Sequence, residues 1–154
     1  MKKFVIALVI VLSMFLFAST ALAANVPSAK DYRETKSVTL KIATGAKVKT
    51  VNGTYVSLHK GDKVKGYRFY NSKVYAKLSN GKYAYISNKY LRTSAGCKLP
   101  KFPKSVKLKT KFKLEGEVLS KGTKLSVQYY AFSKKGFLMA YCYEGFVPTK
   151  YLKK

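Results

Sequence analysis

The chain has 154 residues and a formal net charge of +25, from 31 lysines and arginines against 6 acidic residues. This length allows one ordinary domain or two very small ones and excludes a large single core, because small domains bury proportionally little surface. Only Arg33, Arg68 and Arg92 are arginine. A lysine-rich surface predicts salt-sensitive attraction to polyanions rather than bidentate recognition of one ligand. The alternative is that the charge serves only solubility.

Residues 1–23 have the layout of a secretory signal peptide. Two lysines precede an apolar run at 4–17, and Ala21 and Ala23 form an A-x-A cleavage pattern. The apolar run is shorter than the roughly 20 residues that a membrane-spanning helix needs. We therefore expect a secreted protein, extracellular or associated with the cell wall, whose mature form has no transmembrane segment. The alternative is an uncleaved N-terminal anchor.

Two short sequence motifs each occur twice, with a spacing of 61 residues. The sequence "LHKGDKV" occupies 58–64 and "LSKGTKL" occupies 119–125, and the same shift lays "KYL" at 89–91 on "KYL" at 150–152. No gap is needed between these anchors. A period of this length is too long for a solenoid repeat and indicates a tandem of two small domains.

Each copy has the pattern of β-strands. The runs "KVKGYRFY" and "KLSVQYY" mix apolar, aromatic and β-branched residues, and each follows a Lys-Gly turn. Asn80-Gly81, a strong hairpin signal, separates "VYAKL" from "YAYI" in the first copy. No stretch after residue 30 keeps a helical apolar period over three turns. These patterns predict an all-β fold.

The order of these motifs resembles a known family. A "L-x-K-G-[TD]-K-[VL]" turn, a middle hairpin, a strand with "YI" or "FV" and a closing "K-Y-L" are similar to the bacterial Src-homology-3 (SH3b) domain, present twice. The ending "GFVPTKYL" at 145–152 is also similar to the close of eukaryotic SH3 domains. The resemblance covers about 38–92 and 104–152, which is almost the whole chain after the signal peptide.

The resemblance implies two tandem small SH3-like β-barrels, at 38–92 and 104–154. Residues 93–103 contain Gly96, Pro100 and Pro103 and are expected to form a stiff linker between them. Residues 24–37 are polar and are expected to be a flexible N-terminal segment.

Candidate ligand-binding residues follow from the same resemblance. In SH3-type folds the closing aromatic and the tyrosine after it line a groove, and tyrosine suits contact with peptide or sugar because it combines an apolar body with a polar tip. The alternative is that many of these rings fill the core. The groove candidates are Tyr85 and Tyr90 in the first copy, Phe146, Pro148 and Tyr151 in the second, and Tyr83, Tyr141 and Tyr143 as a further wall.

Few residues are suited to chemistry. Cys97 and Cys142 would meet an oxidising exterior, which makes a disulfide between them plausible, with two free thiols as the alternative. Two cysteines and the single His59 lack the ligand count for a metal site. Glu115 and Glu117 would share one strand face instead of opposing each other across a substrate. We therefore expect no catalytic residues, no metal and no cofactor.

The leading functional hypothesis is a non-enzymatic protein that binds bacterial cell-wall polymers. The lysines would supply long-range attraction to anionic wall polymers, and an aromatic groove in each copy would contact peptidoglycan. One alternative is a cationic effector or inhibitor that binds another protein. Another is non-specific binding of extracellular nucleic acid, which would weaken steeply with salt.

Overall fold

The computed structural model describes residues 26–32, 35–143 and 145–154, and the predicted signal peptide lies outside the described residues. Within these residues three 3-10 turns and many short strands occur but no α-helix, which confirms the all-β prediction. The 3-10 turns are Ala29–Asp31, Asn88–Tyr90 and Thr149–Tyr151. The strands are β1 (Thr35–Lys36), β2 (Val38–Ile42), β3 (Ala46–Lys49), β4 (Tyr55–Leu58), β5 (Lys63–Phe69), β6 (Lys73–Lys77), β7 (Tyr83–Ser87), β8 (Leu91–Thr93), β9 (Ser105–Leu108), β10 (Phe112–Leu114), β11 (Glu117–Leu119), β12 (Lys124–Ser126), β13 (Tyr129–Ser133), β14 (Leu138–Cys142), β15 (Gly145–Pro148) and β16 (Leu152–Lys153).

The repeated Lys-Gly turn is held in the same way in both copies. The Gly61 N–H donates to the carbonyl of Ile42, and the Gly122 N–H donates to the carbonyl of Leu108, each over 2.8 Å. Both glycines have positive φ angles, +94° and +87°, in a backbone region that residues other than glycine rarely adopt. The shared hydrogen bond and the need for glycine at this turn therefore explain why the Lys-Gly motif occurs in both copies.

The closing Lys-Tyr-Leu motifs are also equivalent. Each lies in a 3-10 turn that leads into a short strand. The carbonyl of Tyr90 accepts from the Ala43 N–H, and the carbonyl of Tyr151 accepts from the Lys109 N–H, both over 2.8 Å. The end of each copy is thereby tied to the strand that opens it.

One nine-stranded sheet runs through both copies. Its main path is β15-β14-β13-β5-β2-β8, with β6 and β7 attached through β5 and with β1 attached to β13. The copies join where Tyr130 of β13 pairs antiparallel with Phe69 of β5. These two residues correspond under the 61-residue shift, so the copies meet through equivalent positions about a local pseudo-two-fold axis.

The strand pairings do not show the two tandem SH3-like barrels that we expected. No closed barrel is seen among the described strands, and β13 of the second copy pairs with β5 of the first through one residue pair. In the second copy, Val127 and Gln128 interrupt the strand that is continuous as β5 in the first copy. As a result β12 joins a separate three-stranded sheet, β12-β9-β16. The hairpins β3-β4 and β10-β11 complete the fold.

The segment between the copies is part of the core. Phe102 is 2% exposed, and its ring centroid lies 5.3 Å from that of Phe69 and 5.4 Å from that of Tyr130. The Tyr130 hydroxyl donates to the carbonyl of Pro103 over 2.9 Å. The expected linker at 93–103 thus contributes a buried anchor between the two copies, which share one hydrophobic core.

The described residues of the N-terminal segment, which we expected to be flexible, pack against the second copy. The Lys113 N–H donates to the carbonyl of Pro27 over 2.8 Å, and β1 pairs with β13 at Lys36 and Phe132. Ala29 is buried against β15 at Gly145, where the absence of a side chain leaves room for it. Backbone pairing and this close contact explain the difference from the sequence-based expectation.

The predicted disulfide is not formed in the structure. Cys97 and Cys142 are free thiols, the first exposed in the turn after β8 and the second fully buried in β14. Burial raises the pKa of the Cys142 thiol to about 12. Burial, together with the neighbouring Cys142, also raises the pKa of Tyr130 to about 12. Both groups are therefore kept neutral inside the protein.

These two raised pKa values predict alkaline destabilisation. In the unfolded chain Cys142 and Tyr130 lose protons near their ordinary values of 9.0 and 10.0, whereas the folded protein holds both protons up to about 12. The unfolded state binds fewer protons in this window, so the free energy of unfolding is at its full value below pH 9 and falls as pH rises to 12. Urea titrations from pH 8 to pH 11 measure the decline.

The Cys142→Ala variant separates the two groups. It should show a decline that starts nearer pH 10, because the groups whose pKa remains raised in the folded state, Tyr130 foremost, are tyrosines with an ordinary value of 10.0. An unfolding free energy that stays constant up to pH 11 in the wild type would contradict the prediction.

Candidate functional site

The outward face of the sheet carries a line of aromatic rings. Val74 and Ala76 of β6 are fully buried, so Tyr75 between them lies on the opposite face of the strand. The same alternation in β7 places Tyr83 and Tyr85 on that outward face. The period of two along a strand therefore accounts for a tyrosine row over the first copy.

The rings of this row contact one another across the strands. Tyr75 lies directly opposite Tyr85, with ring centroids 5.2 Å apart. Tyr75 also stacks on Tyr83 at 5.4 Å with an interplanar angle of 13°, and Tyr67 of β5 lies 6.1 Å from Tyr83. Such pairs stabilise a sheet surface and give it a fixed shape.

The second copy carries an equivalent row. Tyr129 and Tyr141 lie directly opposite each other and stack at 4.8 Å with an interplanar angle of 17°. Tyr141 is in turn opposite Phe146, whose ring centroid is 5.0 Å away. All three side chains are half-buried.

Tyr70 joins the two rows at the junction between the copies. Its ring centroid lies 5.9 Å from that of Tyr85 and 6.1 Å from that of Tyr129. The result is a continuous aromatic surface across both copies, which we call the tyrosine ribbon. The ribbon consists of Tyr67, Tyr75, Tyr83 and Tyr85 from the first copy, Tyr70 at the junction, and Tyr129, Tyr141 and Phe146 from the second copy.

Three cations lie over rings of the ribbon. Lys73 Nζ is 4.6 Å from the centroid of Tyr85, and the guanidinium carbon of Arg68 is 4.8 Å from the centroid of Tyr129. Lys77 covers a third ring at 5.7 Å. Each contact is worth about 0.5–1 kcal/mol at an exposed site, so a ligand anion can exchange it for an ion pair at little loss.

The ribbon hydroxyls at the junction are protonated at neutral pH. Burial raises the pKa of Tyr70, and the neighbouring Tyr85 adds to this effect while Arg68 opposes it. Burial also raises the pKa of Tyr129, against a lowering effect of Arg68 and with a further increase from Tyr141. Both phenols can therefore donate a hydrogen bond to a ligand as well as accept one.

The structure brings four of the groove candidates together. Tyr83, Tyr85, Tyr141 and Phe146 all belong to the ribbon. Four further ribbon residues were not among the groove candidates predicted from the motifs: Tyr67, Tyr70, Tyr75 and Tyr129. The alternation in "VYAKL" signals an outward Tyr75, but the contact between Tyr70 and Tyr129 arises only from the pairing of β5 with β13.

Tyr90 and Tyr151 lie elsewhere. They occupy equivalent 3-10 turns, and in each case the preceding lysine covers the ring, with Nζ 4.8 Å from the centroid for both Lys89 and Lys150. Both rings pack against the core, Tyr151 at 5.5 Å from Phe112. Among the described residues no ring contact joins either of them to the ribbon.

Two further candidates are separated from the ribbon. Pro148 is less than 2% exposed, so the structure does not offer it to a ligand, which corrects that expectation. It is buried because its strand, β15, has most of its side chains in the core. Tyr143 is exposed at the end of β14, with a positive φ of 53°, and lines a surface cavity beside Leu114 and Leu119.

A cleft of about 410 Å³ opens beside the ribbon at the junction of the copies. Tyr70 and Tyr129 of the ribbon form part of its wall, and Lys73 and Lys104 add positive charge. Asn71 at the rim donates to the carbonyl of the buried Phe102 over 3.2 Å, which ties the rim to the core. The ribbon therefore has a basic recess at its centre.

His59 and Asp62 are part of the first Lys-Gly turn. Asp62 accepts from the His59 N–H over 2.7 Å within the Lys-Gly turn, and His59 is exposed. In the part of the chain that the structure describes, no three His, Cys, Asp or Glu side chains are grouped so that they could hold a metal ion. None of the three 3-10 turns in that part is long and apolar enough to cross a membrane.

The arrangement is suited to binding, because aromatic faces, phenol hydroxyls and cations alternate along one surface. In comparisons with known proteins, no family model matches the chain and no curated protein matches its sequence. The resemblance to SH3b domains therefore rests on the motifs alone.

Proposed function

We propose that this protein is a secreted, non-enzymatic binding protein with two SH3-like copies that attaches to bacterial cell-wall polymers through the tyrosine ribbon. The observation that carries the proposal is the continuous ribbon itself, with Arg68, Lys73 and Lys77 over its rings. A surface of this kind combines stacking, hydrogen bonding and charge attraction, which together suit a repetitive anionic polymer.

The net charge of +25 supports the same function at longer range. It increases the rate of encounter with wall polymers that carry acidic groups, and this contribution weakens as salt screens the charges. The ribbon then supplies short-range contacts that salt affects less. Binding to walls should therefore fall with salt but persist in part at ~0.5 M salt.

The test is co-sedimentation of the purified protein with bacterial wall sacculi, either intact or stripped of anionic polymers. We expect the double variant Tyr85→Ala and Phe146→Ala to weaken binding at least about tenfold, because each truncation removes part of the aromatic surface that contacts the ligand. Tyr55→Ala is the matched control, since Tyr55 is an exposed tyrosine beneath Lys47 on β4, and among the described residues no ring contact joins it to the ribbon. The control should bind as the wild type does.

Two outcomes would overturn the proposal. If the double variant and the control bind walls equally well, the ribbon is not the contact surface. If the wild type shows no binding to either wall preparation at low salt, the wall is not the ligand, and capture of an acidic protein partner becomes the favoured explanation.

A further inference from the structure

We infer that the two copies form one composite site for a single linear acidic glycan, instead of two separate sites joined by a linker. The inference rests on the proposed function and specifies the ligand class and the extent of the site. Its basis is the junction, where Tyr70 and Arg68 of the first copy contact Tyr129 of the second.

The ribbon has no gap at the junction. Neighbouring rings within the copies are 4.8–6.2 Å apart, and the two steps through Tyr70 are 5.9 and 6.1 Å. A polymer that lies on one row therefore meets the next row without crossing a bare surface. The recess beside Tyr70 and Tyr129 gives space for a substituent at this point.

The junction is also held rigidly. The pairing of β5 with β13 places Phe69 opposite Tyr130, and Phe102 packs against both rings from the core side. The spacing of the two rows is thus fixed before the ligand arrives. Preorganisation of this kind lets a long ligand gain contacts to the second row without a further entropic loss from ordering the protein.

The ring contacts favour a glycan over a nucleic acid. Nucleobases need an open ring face on which to stack. Here Tyr75 and Tyr83 stack on each other, Tyr129 and Tyr141 do the same, and cations cover Tyr83, Tyr85 and Tyr129. The faces of these rings are thus partly occupied by neighbouring rings and cations, and the polar groups that the surface offers are phenol hydroxyls and ammonium or guanidinium groups. These match the many hydroxyls and the regularly spaced carboxylates of an acidic glycan.

The pseudo-two-fold relation adds a constraint on recognition. Equivalent residues of the two rows run in opposite directions from the Phe69–Tyr130 pair. A polymer that crosses the junction presents opposite directions to the two copies. The site should therefore respond to the repeating charge and hydroxyl pattern and not to the direction of the chain.

The experiment uses linear oligomannuronates of two, four and eight sugars as probes. Binding is followed by tyrosine fluorescence, since the chain has 13 tyrosines and no tryptophan, and by calorimetry. For the wild type we expect the affinity to rise at least about tenfold from the disaccharide to the octasaccharide. Arg68→Gln, alone and with Tyr70→Ala, should reduce octasaccharide affinity at least about tenfold while changing disaccharide binding little. Tyr55→Ala should change neither.

Several results would overturn the composite site. An equal loss for short and long probes, or a wild-type affinity that does not depend on length, would mean two independent sites. Equally tight binding of polyphosphate of the same charge would mean that charge alone acts, and tighter binding of an oligothymidine would mean a nucleic-acid site. If the Arg68→Gln variant sediments normally with walls and oligosaccharide binding does not depend on length, only the composite site is contradicted. If the wild type does not sediment with walls, the proposed function itself is contradicted.

Discussion

Replacing Phe102 by alanine should lower the free energy of unfolding by about 3–5 kcal/mol, the usual effect of truncating a buried phenylalanine. Phe102 is 2% exposed and packs against Phe69 and Tyr130 where the two copies meet. The cavity would remain between two sheet segments that backbone hydrogen bonds hold in place, so the site has little freedom to collapse. Chemical denaturation followed by circular dichroism measures the change.

Phe137→Ala is the matched control, because it makes the same chemical change at a residue that is 37% exposed in the β13-β14 turn. Phe137 has one aromatic neighbour, Tyr32, at 5.8 Å, and its truncation should have a much smaller effect. If Phe102→Ala destabilises no more than Phe137→Ala does, the segment at 93–103 is a surface linker and the two copies do not share a core.

Adding a single methyl group at Gly145 should destabilise the protein by about 1–3 kcal/mol, as overpacking of a core does. A Cβ at this position would lie 2.5 Å from Leu114 Cδ1 and 2.9 Å from Ala29 Cβ, closer than such atoms approach in real proteins. The two neighbours belong to different segments, the N-terminal segment and β10, so both must move. Thermal unfolding of Gly145→Ala tests this expectation.

A double-mutant cycle identifies the cause. The smaller side chain of Leu114→Val should relieve part of the clash, so that the double variant is more stable than the sum of the two single effects predicts. Strict additivity would contradict the contact between Gly145 and Leu114. Full stability of Gly145→Ala would indicate that the segment around Ala29 does not pack there.

Because the tyrosine ribbon is continuous, the two copies present one binding surface and not two separate ones. Two separate modules on a linker would gain affinity only through effective concentration. Here Arg68 and Tyr129 correspond under the 61-residue shift, yet they contact each other at 4.8 Å across the junction. In the first copy, Arg68 and the closing aromatic Tyr85 lie on either side of the outward Tyr75. In the second copy, Tyr129 and the closing aromatic Phe146 lie on either side of Tyr141 in the same way. Duplication has thus extended one surface.

The sequence was sufficient for features that depend on neighbouring residues. The strand alternation and the turns at Gly61 and Gly122 depend on local sequence. Side chains alternate along any strand, and the φ angles near +90° at these two turns strongly favour glycine. The 61-residue repeat can likewise be read directly from the sequence. The all-β class followed from the strand patterns, whereas Tyr83 and Tyr85 were selected through the resemblance to SH3-type folds.

Only the tertiary structure decided how the two copies meet. The pairing of Phe69 with Tyr130, the burial of Phe102 and the docking of Ala29 against Gly145 join residues that are far apart in sequence. Hydrophobic burial is non-directional and long-range in sequence, so no local pattern specifies which edge strand will accept which partner. The same pairing creates the ribbon, because it brings Tyr70 beside Tyr129 and turns two rows of aromatic residues into one surface.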